Sequence, residues 1–150
     1  MKLQGKIQEM IPIQREIIHA SILHGGTERI VNAWNYLSIL LGKVCDYPVA
    51  EDAARNALEV YSREEHPKLE NLGSYHMVLS RILAAQKRFA EGVAEADRAV
   101  ACFAIFHNPS DEFLAARIEE AERMRQLRDR GEENEVSSPK PHNDRSGPRA

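Results

Sequence analysis

Apolar residues recur at three- and four-residue intervals through residues 30–41, 50–61, 72–83 and 93–106, the spacing of one face of an α-helix. No stretch alternates apolar and polar residues as a half-buried strand does. The periodic stretches are separated by turn-like phrases: His-Gly-Gly-Thr at 24–27, Cys-Asp-Tyr-Pro at 45–48, Glu-Glu-His-Pro-Lys at 64–68, Ala-Gln-Lys-Arg at 85–88 and His-Asn-Pro-Ser-Asp at 107–111. The pattern therefore predicts an all-α chain. A short first helix ends near His24, and five more span roughly 27–44, 48–63, 67–86, 90–106 and 109–129.

The breaks also carry helix starts. Thr27 is positioned to cap the helix that begins Glu-Arg-Ile-Val. Pro67 and Pro109 suit a first turn, where a missing N–H costs nothing. Asn108 is the expected N-cap before Pro109, with Asp111 and Glu112 at the positive end of the last helix. Pro12 predicts that the first helix starts or bends there. After Arg130 the sequence holds three prolines, two glycines and mixed charge, with Val136 and Ala150 its only apolar residues. Such a segment buries too little to offset its ordering entropy, so 131–150 is expected to be a disordered tail.

The chain repeats itself at an offset of 42. Trp34 aligns with His76, Leu37 with Leu79, Ser38 with Ser80 and Leu41 with Leu83. Tyr47 aligns with Phe89, Ala54 with Ala96, Ala57 with Ala99, and His66-Pro67 with Asn108-Pro109. Each unit reads as two helices and a short turn. Ala50, Ala54 and Ala57, then Gly92, Ala96 and Ala99, give the second helix a small-residue seam, which lets helix axes approach to ~8–10 Å.

The order large residue, leucine, small residue, then an aromatic, then spaced alanines resembles the tetratricopeptide repeat (TPR). Trp34, Leu37, Ser38, Leu41, Tyr47, Ala50, Ala54 and Ala57 fit it in register. The usual TPR period is 34, and the 42-residue spacing is similar to that of kinesin light chain repeats. The resemblance covers residues 31 to about 114. It implies a short right-handed α-solenoid of antiparallel helix pairs with flanking cap helices. On that reading residues 1–26 form an N-terminal half-repeat cap, and 27–130 the repeats with a C-terminal cap helix.

It also implies a use. In this family the first helix of each unit lines a concave groove. Carried over by position, the groove residues are Asn32, Asn35, Ile39 and Lys43, then Ser74, Met77, Arg81 and Ala84, with Glu119, Arg123 and Gln126 continuing the row. Asn35 matches an asparagine whose amide holds a ligand backbone, and Lys43, Arg81 and Arg123 add positive charge. The resemblance thus implies a non-enzymatic adaptor that binds a peptide or helix, with a preference for acidic groups. Ile39 breaks the pattern that clamps C-terminal carboxylates, so that ligand is not expected. A second reading is a self-associating assembly protein or a small chaperone-like subunit, because two repeats make a short solenoid whose end can pair with a copy of itself.

Composition narrows the field only slightly. The net charge of −3 with 29% charged residues offers no field for nucleic acid or an anionic membrane. The 43% apolar content suffices for one core. Cys45 and Cys102 belong to no metal-spaced cluster, and the histidines match no zinc pattern, so neither metal nor cofactor is expected. His76 reads as a partly buried histidine with one partner rather than a base. No nucleophile elbow, phosphate loop or dinucleotide fingerprint occurs, and an enzyme is not expected. The polar start of the chain lacks a signal-peptide layout, and a cytoplasmic protein is the expectation.

Overall fold

The computed structural model describes the backbone of residues 2–137 and the side chains of residues 3–132. Six helices follow one another: α1 (Lys2–His24), α2 (Thr27–Lys43), α3 (Tyr47–Ser62), α4 (Leu69–Ala85), α5 (Phe89–Phe103) and α6 (Glu112–Ser137). The described residues contain no strand. Each helix packs against the next in the chain, and α2 also reaches α4.

The periodic leucines and the alanine seam form the core. Leu37, Leu41, Leu79 and Leu83 gather with Ala50, Ala53 and Ala54 where α2, α3 and α4 meet. Ala57 packs with Val31, Tyr61 and Tyr75. Ala99 packs with Met77, Phe103 and Leu114, and Ala96 with Val93, Ala121 and Met124, which seats α6 on α4 and α5. Ala50, Ala57, Ala96 and Ala99 are wholly buried. A side chain on Gly92 would begin 3.2 Å from the Ser80 carbonyl oxygen. Bulk at these positions would force the helices apart. Gly73 admits a second close approach, since a Cβ there would lie 2.8 Å from the Phe103 ring.

The 42-residue offset reappears in the backbone. Ser38 Oγ donates to the Asn35 carbonyl at 2.6 Å, and Ser80 Oγ to the Met77 carbonyl at 2.7 Å. Both side chains are fully buried, and the bonds satisfy their hydroxyls. The ends of α2 and α4 are also alike. The Asp46 N–H bonds the Leu41 carbonyl and the Cys45 N–H bonds that of Gly42. Arg88 and Lys87 do the same with Leu83 and Ala84. This crossed pair is the Schellman helix stop, and it requires a left-handed residue. Cys45 and Lys87 both take φ of 62°. Glycine is the usual occupant of that conformation, which costs side-chain-bearing residues about 1–2 kcal/mol. Lys87→Gly is therefore expected to stabilise the fold by about 0.5–1 kcal/mol, after the greater freedom of an unfolded glycine is counted. A shift of the urea midpoint to higher concentration at constant slope would report it.

Several helix ends differ from the sequence expectation. α1 runs through Pro12. Pro12 and Gln8 are both exposed, so the carbonyl that loses its donor at proline faces solvent. Gly26, not Thr27, occupies the cap position of α2. α4 begins at Leu69, because Lys68 is still extended. α6 begins at Glu112, not at Pro109. Asp111 rather than Asn108 caps it, with Oδ1 accepting from the Phe113 N–H at 2.8 Å. Asn108 instead closes the preceding turn, its carbonyl accepting from the Asp111 N–H. α6 also continues past Arg130 to Ser137. The intervening glutamates are good helix formers and the first proline comes only at 139. The rest of the expected tail lies outside the described residues.

Candidate functional site

The groove expected along the first helices of the two units has a counterpart between α2 and α4. A cleft of about 310 Å³ opens there. Ser38, Ile39, Gly42 and Lys43 form its α2 wall, Val78, Arg81 and Ile82 its α4 wall, and Tyr47 at the start of α3 closes one end. Helical spacing produces the α2 wall, since residues 39, 42 and 43 lie within one turn of each other. Gly42 keeps it open: a Cβ there would meet nothing within 4 Å. The cleft is thus mostly apolar, with a cation at each side.

The two cations differ. Lys43 is exposed and enters no ion pair among the described residues. Arg81 is committed to α6: its Nε donates to Glu120 Oε1 at 2.7 Å and its second nitrogen to Oε2 at 3.1 Å. A two-pronged guanidinium–carboxylate pair fixes both distance and orientation. It couples the cleft wall to α6, and it offsets the charge that the sequence placed in the groove.

The other sequence-derived groove residues divide. Asn32 is exposed, but its Oδ1 accepts from the Tyr75 hydroxyl at 2.8 Å. Burial first, then Tyr61 and Glu28 nearby, push the Tyr75 hydroxyl up to about 12, so it remains a donor at neutral pH. Asn35 has its side-chain oxygen buried without a hydrogen-bond partner. A ligand backbone reaches that oxygen only if neighbouring side chains move. Ser74 is exposed and donates to the Glu70 carbonyl of its own helix. Met77, expected on the open face, is instead buried among Ala99, Phe103 and Leu114, because α6 covers this side of α4. Ala84 is half-buried against Val93 and Ala96. Arg123 is exposed on α6, 4.0 Å from Glu119 one turn away, and Glu119 and Gln126 are exposed beside it. The structure therefore brings Ile39, Lys43 and Arg81 together at one cleft and leaves the others elsewhere. Gly42, Val78 and Ile82 were missed. The signal for Gly42 was a glycine inside a periodic helix, where it costs about 1 kcal/mol relative to alanine.

A second polar group lies at the α4–α5 interface. His76 Nδ1 is 2.6 Å from Glu95 Oε2, and both side chains are largely buried. Arg98 bonds the other carboxylate oxygen. Burial alone would raise the Glu95 carboxyl, but the bond from His76 and the charges of His76, Arg98 and Arg55 outweigh it and hold it below its ordinary value. Glu51 is held down in the same way. Its burial is overcome by bonds from Gln86 and from Arg55 of its own helix and by the charge of Arg88, and Gln86 and Arg88 tie α3 to the α4–α5 turn. Asp111 is lowered first by its bond to His107 and next by the Phe113 N–H.

Among the described residues, no group of three His, Cys, Asp or Glu side chains is placed to hold a metal ion. No described helix is long and apolar enough to cross a membrane. Compared with protein-family models and with curated proteins, the chain matches none.

Proposed function

We propose that the chain is a non-enzymatic protein-interaction module, a short TPR-like right-handed solenoid that binds an extended peptide or helix in the α2–α4 cleft. The cleft carries the reading: a mostly apolar trough, with Gly42 in its α2 wall and Lys43 and Arg81 at its sides. Pockets with an apolar lining and a few placed polar groups are common ligand sites. The paired turns at Cys45 and Lys87 and the paired Ser38 and Ser80 bonds support the repeat on which the reading rests. The ligand's apolar side chain enters the trough, and an acidic group meets Lys43 or replaces Glu120 on Arg81.

Gly42→Leu tests this, because a Cβ there meets nothing within 4 Å and the longer side chain projects into the cleft. Peptide display against the wild-type protein is expected to enrich extended segments with an apolar anchor beside acidic residues. Gly42→Leu should weaken their binding at least roughly tenfold with helicity unchanged. No enrichment, or binding indifferent to Gly42→Leu and Lys43→Glu, would overturn the reading.

A further inference from the structure

At the 42-residue offset the cleft positions change their chemistry. The two walls of the α2–α4 cleft present Ile39 and Val78. One unit further along, the same two places are Arg81 on α4 and Glu120 on α6. The first junction offers a ligand two apolar side chains, whereas the second holds an ion pair. Arg81 donates through Nε to Glu120 Oε1 at 2.7 Å and through Nη2 to Oε2 at 3.1 Å. Arg81 also lines the cleft, so the pair sits at the edge of the open trough.

We infer that Glu120 is a built-in competitor: its carboxylate holds the place on Arg81 that an acidic side chain of a bound peptide takes, and such a peptide binds by displacing it. The inference deepens the reading of the α2–α4 cleft as a peptide site and rests on it. Three observations carry it. The first is geometry: the two-pronged guanidinium–carboxylate pair is the one that an aspartate or glutamate of a ligand also forms. The second is access. The Arg81 side chain is 46% exposed, so an incoming carboxylate reaches it from solvent. The third is that α6 does not depend on the pair. Leu114, Ala121 and Met124 are buried against α4 and α5, and Arg125 bonds Asp97 of α5. Glu120 can therefore release Arg81 while α6 stays seated. An exposed ion pair contributes little to stability, so exchanging one carboxylate for another is nearly neutral. The competitor lowers the affinity for acidic peptides by the fraction of time that it occupies Arg81. Peptides without acidic groups are not affected.

Fluorescence anisotropy of the full chain tests it, with the display-enriched acidic peptide and a twin whose acidic residues are replaced by the matching amides. Glu120→Gln is expected to bind the acidic peptide more tightly than wild type by at least about twofold. It should bind the amide twin as wild type does, with circular dichroism unchanged. In an Arg81→Gln background the same change should bring no gain, which separates exchange on Arg81 from a general loss of negative charge. A smaller gain overturns the inference. So do a gain shared by the amide twin, a gain that persists beside Arg81→Gln, and a loss of helicity in Glu120→Gln. Gly42→Leu tells the two readings apart. If it weakens binding while Glu120→Gln brings no gain, the cleft stands and only the competitor is overturned. Binding indifferent to Gly42→Leu overturns the cleft, and the competitor with it.

Discussion

Leu79→Ala is expected to destabilise the fold by about 2–5 kcal/mol. Leu79 is 1% exposed and sits where α2, α3 and α4 meet, among Leu37, Leu83 and Ala54. Its neighbours are alanines and leucines on rigid helices, and alanines have no rotamers with which to fill a void. The cavity therefore stays open, which places the cost in the upper part of that range. A typical domain has only about 5–15 kcal/mol in total, so the variant should unfold at markedly lower urea. Its counterpart Leu37→Ala should lose a similar amount, because Leu37 occupies the same place in the first unit. A loss below about 1 kcal/mol at both positions would mean that this cluster is not the centre of the fold.

The second large effect is expected at Glu95. Glu95→Ala removes the acceptor of both His76 and Arg98 and leaves the His76 ring half-buried without its partner. Removing one member of such a set costs about 1–3 kcal/mol. The dependence on pH has a definite sign. The Glu95 carboxyl is held below its ordinary value of 4.5 in the folded chain. Just below pH 4.5 the unfolded chain therefore binds more protons at this residue than the folded chain does. The stabilisation is complete above that pH and is lost as the pH falls through the lower, folded value. Glu51 adds to the same limb with the same sign. Urea titrations at successive pH values should show stability falling on acidification, and Glu95→Gln should flatten part of that fall. An identical acid limb in Glu95→Gln would remove Glu95 as its source.

Much of this architecture was legible in the sequence, and the reasons are local. The alanines at 50, 54, 57, 96 and 99 could be assigned to buried seams because helical periodicity leaves them no other face. His76 could be read as a half-buried histidine with a partner, but not with which one, since Glu95 lies 19 residues away on another helix. Met77 was misplaced because position alone does not tell which side of α4 the last helix covers. The cap of α6 was misplaced because Asn108-Pro109 and Asp111 are both acceptable starts, and only the bond to the Phe113 N–H chooses between them. The left-handed turns were hidden because cysteine and lysine stand where glycine usually announces them. In the cleft, Ile39, Lys43 and Arg81 came from positional analogy. The pairing of Arg81 with Glu120 could not, because it joins residues 39 apart in the chain.

The order in which the helices pack carries a kinetic consequence. Nearly every helix touches mainly its neighbours along the chain, so few contacts require distant segments to meet before they form. Chains with such low contact order fold on the microsecond-to-millisecond scale. Amide exchange should accordingly be slowest at the α2–α4 junction and fastest in the outermost turns of α1 and α6, each of which has a neighbour on one side only.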